Sequence, residues 1–195
     1  MQYPLNFTFK ILALAPQLII TDADGKSIMY IKQKLFKLKE AVNVFTDKTQ
    51  SQLLYTIKAD RVLDFNAKYH FNDAQENNVG AVGRQGMRSL WRAHYDIYDT
   101  NDTQALTIKE EEPWKRLLEG LLASIPIIGF LIILLINPAY IVSRADGTPI
   151  FKITKKPAFF EGKFELTQLA ETTGEEERQS MLALIMMVLL ERRRG

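Results

Sequence analysis

The sequence predicts a mainly β protein: a closed antiparallel barrel of about 12 strands around a central hydrophobic C-terminal helix. Two observations predict this fold. The chain repeats a short hairpin unit, and it ends in a helix, residues 174–194, whose middle is apolar on every face. Such a helix must be surrounded by other structure. A barrel of about twelve strands is too wide for its own side chains to fill, so it leaves room for the helix.

Composition indicates one domain that spans residues 1–195. The chain is 47% hydrophobic and carries a formal charge of only +2, which is too small to indicate a nucleic-acid partner. It has no cysteine, so it has neither disulfides nor thiolate metal ligands, as is common in a reducing compartment. Asn6 and Lys10 interrupt the apolar pattern at the N-terminus, unlike a signal peptide. We therefore expect a cytoplasmic protein.

An internal repeat supplies the strands. Residues 16–34 (PQLIITDADGKSIMYIKQK) align without a gap with residues 138–156 (PAYIVSRADGTPIFKITKK), and both have a strand, an Asp-Gly turn and a second strand. Looser copies occupy residues 42–58, 69–84 and 95–109, with turns at 47–50, 73–78 and 99–102. Five hairpins give ten strands, and the flanking runs 7–12 and 160–169 bring the number to about twelve.

The C-terminal segment has the features of a buried helix. Residues 181–190 (MLALIMMVLL) carry no polar side chain and form only about 15 Å of helix, half of a bilayer's hydrocarbon thickness. Thr172 or Thr173 can cap its start, with Glu175 or Glu176 three residues later. Acidic residues begin the helix and Arg192, Arg193 and Arg194 end it, as the helix dipole favours.

The quoted hairpins resemble a known fold family. Residues 30–47 (YIKQKLFKLKEAVNVFTD) and 145–166 (ADGTPIFKITKKPAFFEGKFEL), followed by an apolar helix, are similar to the tubby-like C-terminal fold, in its LURP-one-related and phospholipid-scramblase branch. Tubby-like domains are associated with phosphoinositide binding, and scramblases with calcium-stimulated movement of phospholipids. The resemblance implies a non-enzymatic domain that acts at or near membranes, and it assigns no individual site residue.

A second apolar segment, residues 114–136, is predicted to be helical. Residues 117–136 reach about the 20 residues expected of a transmembrane helix, but Pro126 and Gly129 divide them into two shorter pieces. Three placements remain open: packing against the barrel, insertion into one leaflet, or a transmembrane helix at 117–136, which would separate the fifth hairpin from the other four. For the leaflet placement we predict these membrane contacts: Trp114, Lys115, Arg116, Leu117, Leu121, Ile127 and Phe130.

From the sequence we expect no catalytic, metal or cofactor site. His70 and His94 fall in predicted strands without metal-ligand spacing, and turn formation explains the clustered aspartates. A basic group is more informative, because repeat symmetry would bring its members to one rim of the barrel. For anionic lipid we predict contacts from these residues: Lys32, Lys34, Lys37, Lys39, Arg84, Arg88, Trp91, Arg92, Lys155 and Lys156.

The leading hypothesis is a non-enzymatic domain at the cytoplasmic membrane surface that binds anionic phospholipid, either peripherally or by partial insertion. The alternatives are a soluble scaffold or protein-interaction module with a protein partner, and a membrane protein spanning at 117–136. Nucleic acid is not expected, because few aromatic residues are interleaved with the basic ones. The sequence leaves the oligomeric state open.

Overall fold

A computed structural model describes residues 1–10, 17–32, 41–60, 67–84, 93–111, 137–158 and 161–192. These residues form twelve strands and one helix. The strands are β1 (Leu5–Lys10), β2 (Gln17–Thr21), β3 (Ser27–Lys32), β4 (Val42–Phe45), β5 (Leu53–Ala59), β6 (Lys68–Asp73), β7 (Asn78–Arg84), β8 (His94–Tyr98), β9 (Gln104–Glu110), β10 (Ala139–Arg144), β11 (Pro149–Lys156) and β12 (Glu161–Gln168). The helix is α1 (Gly174–Arg192).

The twelve strands close into one barrel in which sequential strands are neighbours. All pairs are antiparallel, and β1 closes the sheet by pairing with β12, from Leu5 opposite Leu166 to Lys10 opposite Glu161. The predicted barrel is thereby confirmed, with strand bounds that differ by a few residues from those expected. Closure also explains why distant parts of the sequence are needed together, because the first and last strands complete the same sheet.

Five hairpin turns share one backbone design. In each turn the fourth residue donates its N–H to the carbonyl of the first, as Gly25 does to Asp22 and Gly147 to Arg144. That fourth residue always has a positive φ, and it is Gly25, Gln50, Glu76, Asp102 or Gly147. Each hairpin also has a register shift near the turn, which increases strand twist and curvature. The predicted Asp-Gly turns are therefore confirmed.

Four of these turns begin with an aspartate whose carboxylate accepts backbone N–H groups within the turn. Asp73, for example, accepts from the backbone N–H groups of Gln75 and Asn77 at 2.9 and 2.8 Å. A further bond from the Asn77 side chain at 3.0 Å, followed by these backbone bonds, lowers the pKa of Asp73. Asp22, Asp47 and Asp99 accept in the same way. Turn formation therefore accounts for the clustered aspartates, as the sequence indicated.

Gln50 provides a simple test of the turn design. Its φ is +57°, a conformation that glycine adopts at less cost than glutamine. The Gln50→Gly variant is expected to be more stable than wild type by about 0.5 kcal/mol, since relief of the left-handed strain slightly exceeds the added entropy of the unfolded chain. Urea unfolding followed by circular dichroism measures the change. A clear loss of stability would contradict the assigned turn.

The core is built from alternate strand residues and the helix. Inward side chains such as Phe7 and Phe9 of β1 or Tyr95 and Ile97 of β8 are at most 1% exposed and belong to one cluster with the helix. From Met181 to Leu189, every helix residue is 2% exposed or less. The helix is therefore enclosed on all sides, as its uniform apolarity predicted.

No helix within the described part of the chain is both long and apolar enough to cross a membrane. The second apolar segment, predicted as helical at 114–136, lies outside the described residues.

Candidate functional site: the two ends of the barrel

Antiparallel order gives the barrel two different ends. The five hairpin turns and the start of α1 lie at one, which we call the turn end. At the other, which we call the connection end, β1, β3, β5, β7, β9 and β11 finish and the strand that follows each of them begins. The strand ends that flank residues 33–40, 85–92 and 112–136 are at the connection end.

Four residues of the predicted basic group are described, and all four are near strand termini at the connection end. Lys32 ends β3, Arg84 ends β7, and Lys155 and Lys156 end β11. The other six members and all seven predicted membrane contacts are outside the described residues: Lys34, Lys37, Lys39, Arg88, Trp91, Arg92, Trp114, Lys115, Arg116, Leu117, Leu121, Ile127 and Phe130.

These four side chains have different surroundings. Lys32 and Lys155 are exposed. Lys156 forms an ion pair with Glu165 at 2.8 Å, which offsets its charge. Arg84 is opposite Tyr95, a residue that is 1% exposed and faces the barrel interior, and its guanidinium is 5.9 Å from the Tyr95 ring centroid. Arg84 therefore lies over an aromatic ring at the mouth of the barrel.

Sequence reasoning missed other lysines at this end. Lys10 ends β1, is exposed, and shares a row of the sheet with Lys32, because both are opposite Gln17. Two strand spacings separate the two lysines, or about 10 Å. Lys109, near the end of β9, is also exposed. Both lysines are at the C-terminal ends of strands that run toward the connection end. That position in the predicted strands could have identified them from the sequence.

At the turn end, a capping box begins the helix. The Thr173 N–H donates to Glu176 Oε2 at 2.9 Å, and the Glu176 N–H donates to Thr173 Oγ1 at 3.1 Å. This reciprocal pair satisfies two backbone donors at the start of the helix. Thr173 and Glu176 are one of the predicted capping combinations, which is thereby confirmed.

Arg144 connects that cap to the barrel wall. It occupies the turn position that aspartate holds in the other four hairpins, and it binds Glu176 through Nε at 2.6 Å and Nη2 at 3.0 Å. Its Nη2 also donates to the carbonyl of Glu171 at 2.8 Å. The fifth hairpin therefore has arginine in place of aspartate at the first turn position. This arginine attaches the barrel wall to the helix through a bidentate ion pair.

Two further residues, Tyr3 and Gln179, fix the start of the helix through hydrogen bonds. The Tyr3 hydroxyl donates to Glu177 Oε1 at 2.8 Å, and burial followed by this bond raises the pKa of Tyr3. Gln179, only 2% exposed, donates to the Val79 carbonyl of β7 at 3.3 Å and to Glu175 Oε1 at 2.9 Å. Together with Arg144 and Glu176, these residues form a polar latch between the helix and the wall.

The latch predicts a specific acid sensitivity. The bond from Arg144, followed by backbone donation from Thr173, lowers the pKa of Glu176 from 4.5 to about 2. Because folding stabilises the carboxylate, its contribution is complete above about pH 4.5 and is lost as the pH falls toward 2. After allowance for solvent screening, we expect Glu176→Gln to lower the free energy of unfolding by about 1–2 kcal/mol at neutral pH.

Urea unfolding at a series of pH values measures this prediction. The curves of wild type and Glu176→Gln are expected to approach each other as the pH falls toward 2 and to converge below the lower pKa, because both side chains are then neutral and both retain a capping box. The matched control is Glu171→Gln, whose side chain is exposed and whose backbone carbonyl makes the contact with Arg144. A constant difference between wild type and Glu176→Gln at every pH would be evidence against the latch.

Asp96 of β8 belongs to a polar cluster on the barrel wall. Asp96 is 4% exposed, and its Oδ1 is 3.3 Å from His94 Nε2 and 3.1 Å from Gln104 Nε2. Nearby, Lys68 Nζ lies 3.5 Å from the Tyr98 ring centroid and also pairs with Asp102. Burial, then the charges of Asp96 and Asp102, raise the pKa of Tyr98. Among the described residues, no group of three or more His, Cys, Asp or Glu side chains could hold a metal ion.

The comparisons with known proteins identify the family and nothing finer. No curated protein and no solved structure gives a significant match to the chain. A model of the LURP-one-related family matches residues 11–120, which is more than half of the sequence and includes strands β2 to β9. The tubby-like and scramblase-like fold is the known superfamily context of this family. The chain belongs to the LURP-one-related family.

Proposed function

We propose that this LURP-one-related domain is non-enzymatic and acts at the cytoplasmic surface of a membrane, where its connection end binds anionic phospholipid. The observation that carries the proposal is a group of four exposed lysines at that end. Lys10, Lys32, Lys109 and Lys155 are all exposed there. A lysine close to an anionic leaflet contributes about 1 kcal/mol, so a few of them suffice for reversible binding.

The helix that fills the barrel interior favours lipid binding at the outside of the barrel over binding in its lumen. Helix residues 181–189 occupy the space in which a hollow barrel would hold a ligand, and each is 2% exposed or less. A lipid acyl chain would have to displace them, and loss of their packing would cost several kcal/mol. A headgroup at the rim requires no such rearrangement.

The predicted residues outside the described part of the chain belong to the same proposal. By sequence, Lys34, Lys37 and Lys39 follow Lys32, while Arg88, Trp91 and Arg92 follow Arg84. The segment 114–136 adds apolar residues together with Trp114, Lys115 and Arg116. A basic group combined with an apolar segment is typical of proteins that associate with a bilayer surface by two kinds of contact.

Vesicle sedimentation tests the proposal. We expect the protein to pellet with vesicles that contain phosphatidylserine, to pellet less with phosphatidylcholine alone, and to be released by high salt. The variant Lys32→Glu/Lys155→Glu should lose on the order of 10- to 100-fold in apparent affinity. Its matched control, Lys26→Glu/Lys48→Glu, makes the same charge change at exposed residues of the turn end and should lose less than about threefold.

Two outcomes would contradict the proposal. Binding that is indifferent to phosphatidylserine and to salt would remove its electrostatic basis. Equal loss in the two double variants would show that overall charge, and not the connection end, determines binding. A protein that never pellets but self-associates or captures a protein partner would favour the alternative of a scaffold.

A further inference from the structure

The turn end is strongly acidic. Its turns and the start of the helix contain twelve acidic and four basic residues, a net charge of −8, within residues 22–26, 46–52, 73–78, 99–103, 144–148 and 169–178. The rest of the chain contains 21 basic and 11 acidic residues, a net charge of +10. The formal charge of +2 therefore combines a negative set of residues at the turn end with a positive remainder of the sequence.

We propose that the acidic turn end orients the barrel at an anionic bilayer, so that the connection end meets the headgroups and the turn end faces away. This inference rests on the proposed function and adds the geometry of binding. The acidic residues act by repulsion and are not themselves a binding site. Such a role requires that they be exposed, that they be fixed in position, and that they be far from the other end.

The first two requirements are met by residues at the turn end. Asp24 and Glu171 are exposed, and so is the Glu76 side chain at 82%, although it also pairs with Lys58 at 3.5 Å. The turns that carry the acidic residues are held by backbone hydrogen bonds and by aspartate carboxylates, so the charges have fixed places. The N-terminal dipole of α1, equivalent to about half a positive charge, offsets little of the net −8.

The distance between the ends makes the effect directional. The strands that join the two ends have four to eight residues, which correspond to about 13–26 Å along the strand. The Debye length at physiological salt is about 8 Å, so the acidic residues are screened from a membrane that contacts the opposite end. They repel that membrane only when the turn end approaches it. One orientation therefore avoids nearly all of the repulsion.

The absence of cysteine permits a direct test, because a single introduced thiol can be labelled uniquely. Ala41→Cys places a fluorophore at an exposed position beside β4 at the connection end, and Thr100→Cys places one in the exposed β8–β9 turn. Each labelled full-length protein is mixed with vesicles of phosphatidylcholine and phosphatidylserine that carry a headgroup-linked quencher. We expect strong quenching of the label carried by the Ala41→Cys variant and little quenching of the label carried by the Thr100→Cys variant.

The deciding variant is Asp24→Lys/Glu76→Lys/Glu171→Lys in each labelled background. These exposed side chains make no contact with the latch, the change at Glu76 also removes its ion pair with Lys58, and thermal melts verify that the fold is retained. We expect the ratio of quenching at the two labels to change by on the order of tenfold, toward equality. Equal quenching in the parent proteins, or an unchanged ratio in the triple variant, would overturn the inference while leaving binding itself intact. Failure to bind these vesicles in sedimentation would instead reject the proposed function, and the orientation with it.

Discussion

Replacing Leu184 with alanine is expected to lower the free energy of unfolding by about 2–5 kcal/mol. Leu184 is at the centre of the apolar helix and is fully buried inside the barrel. The loss combines the transfer of the removed methyl groups with the cavity left behind. Leu184→Asp is expected to prevent folding, because a carboxylate there would have neither water nor a partner within the apolar core. Urea unfolding followed by circular dichroism measures both changes.

Leu169 provides the matched control. It follows β12 at the turn end and is 47% exposed, so Leu169→Ala should change the unfolding free energy by less than about 0.5 kcal/mol. Comparable small effects at Leu184 and Leu169 would mean that the helix is not enclosed in solution. A folded Leu184→Asp variant of wild-type stability would lead to the same conclusion.

Replacing Gly80 with alanine is expected to cost about 2–4 kcal/mol. Gly80 lies in β7 with φ +130°, and an added Cβ would meet the Tyr98 carbonyl oxygen at 2.7 Å and Gln179 Nε2 at 3.2 Å. The backbone of β8 would have to move, and the bond from Gln179 to the Val79 carbonyl would be strained. Glycine is thus required both for its backbone conformation and for the close approach of the helix.

Gly174→Ala is the control for this substitution. The change is chemically identical, but a Cβ at Gly174 meets nothing within 4 Å, and helix formation favours alanine over glycine. We expect this variant to match or slightly exceed wild type in unfolding free energy. Equal stability of the two alanine variants would contradict the close packing of β7 against α1.

The sequence was sufficient for the architecture because its signals are local and repeated. Asp24-Gly25 and Asp146-Gly147 set turn chemistry, alternation set the strands, and the run 181–190 had no polar face to expose. Once these elements were recognised, the need to close a large sheet and to enclose an apolar helix selected the barrel. The capping residues Thr173 and Glu176 could also be predicted, since they are three positions apart.

The contacts that hold the helix in the barrel could not be predicted in this way. Tyr3 and Glu177 are 174 positions apart, and Arg144 is 32 positions from Glu176. No local pattern pairs them, and both contacts follow only from the register of a closed sheet. The position of Arg84 could not be predicted for a related reason. A shift of one residue in strand register would move its side chain to the opposite face of the sheet. Its position opposite buried Tyr95 depends on a register that the sequence does not specify.

The lipid-binding and membrane-contact residues remain predictions. Lys32, Arg84, Lys155 and Lys156 are brought to the connection end by strand order, whereas their individual roles depend on the vesicle experiments. Trp114, Phe130 and the residues between them are outside the described part of the chain. The three placements that the sequence allows for residues 114–136 therefore all stand as predictions.

Native-state hydrogen exchange tests the central claim most directly, which is that the C-terminal helix fills a barrel closed by both ends of the chain. The amides of residues 181–189 should exchange only through global unfolding, with the same free energy and denaturant dependence as those of β1 and β12. Helix amides that exchange at much lower free energy while β1 and β12 stay protected would contradict the account, because the barrel would then stand without the helix.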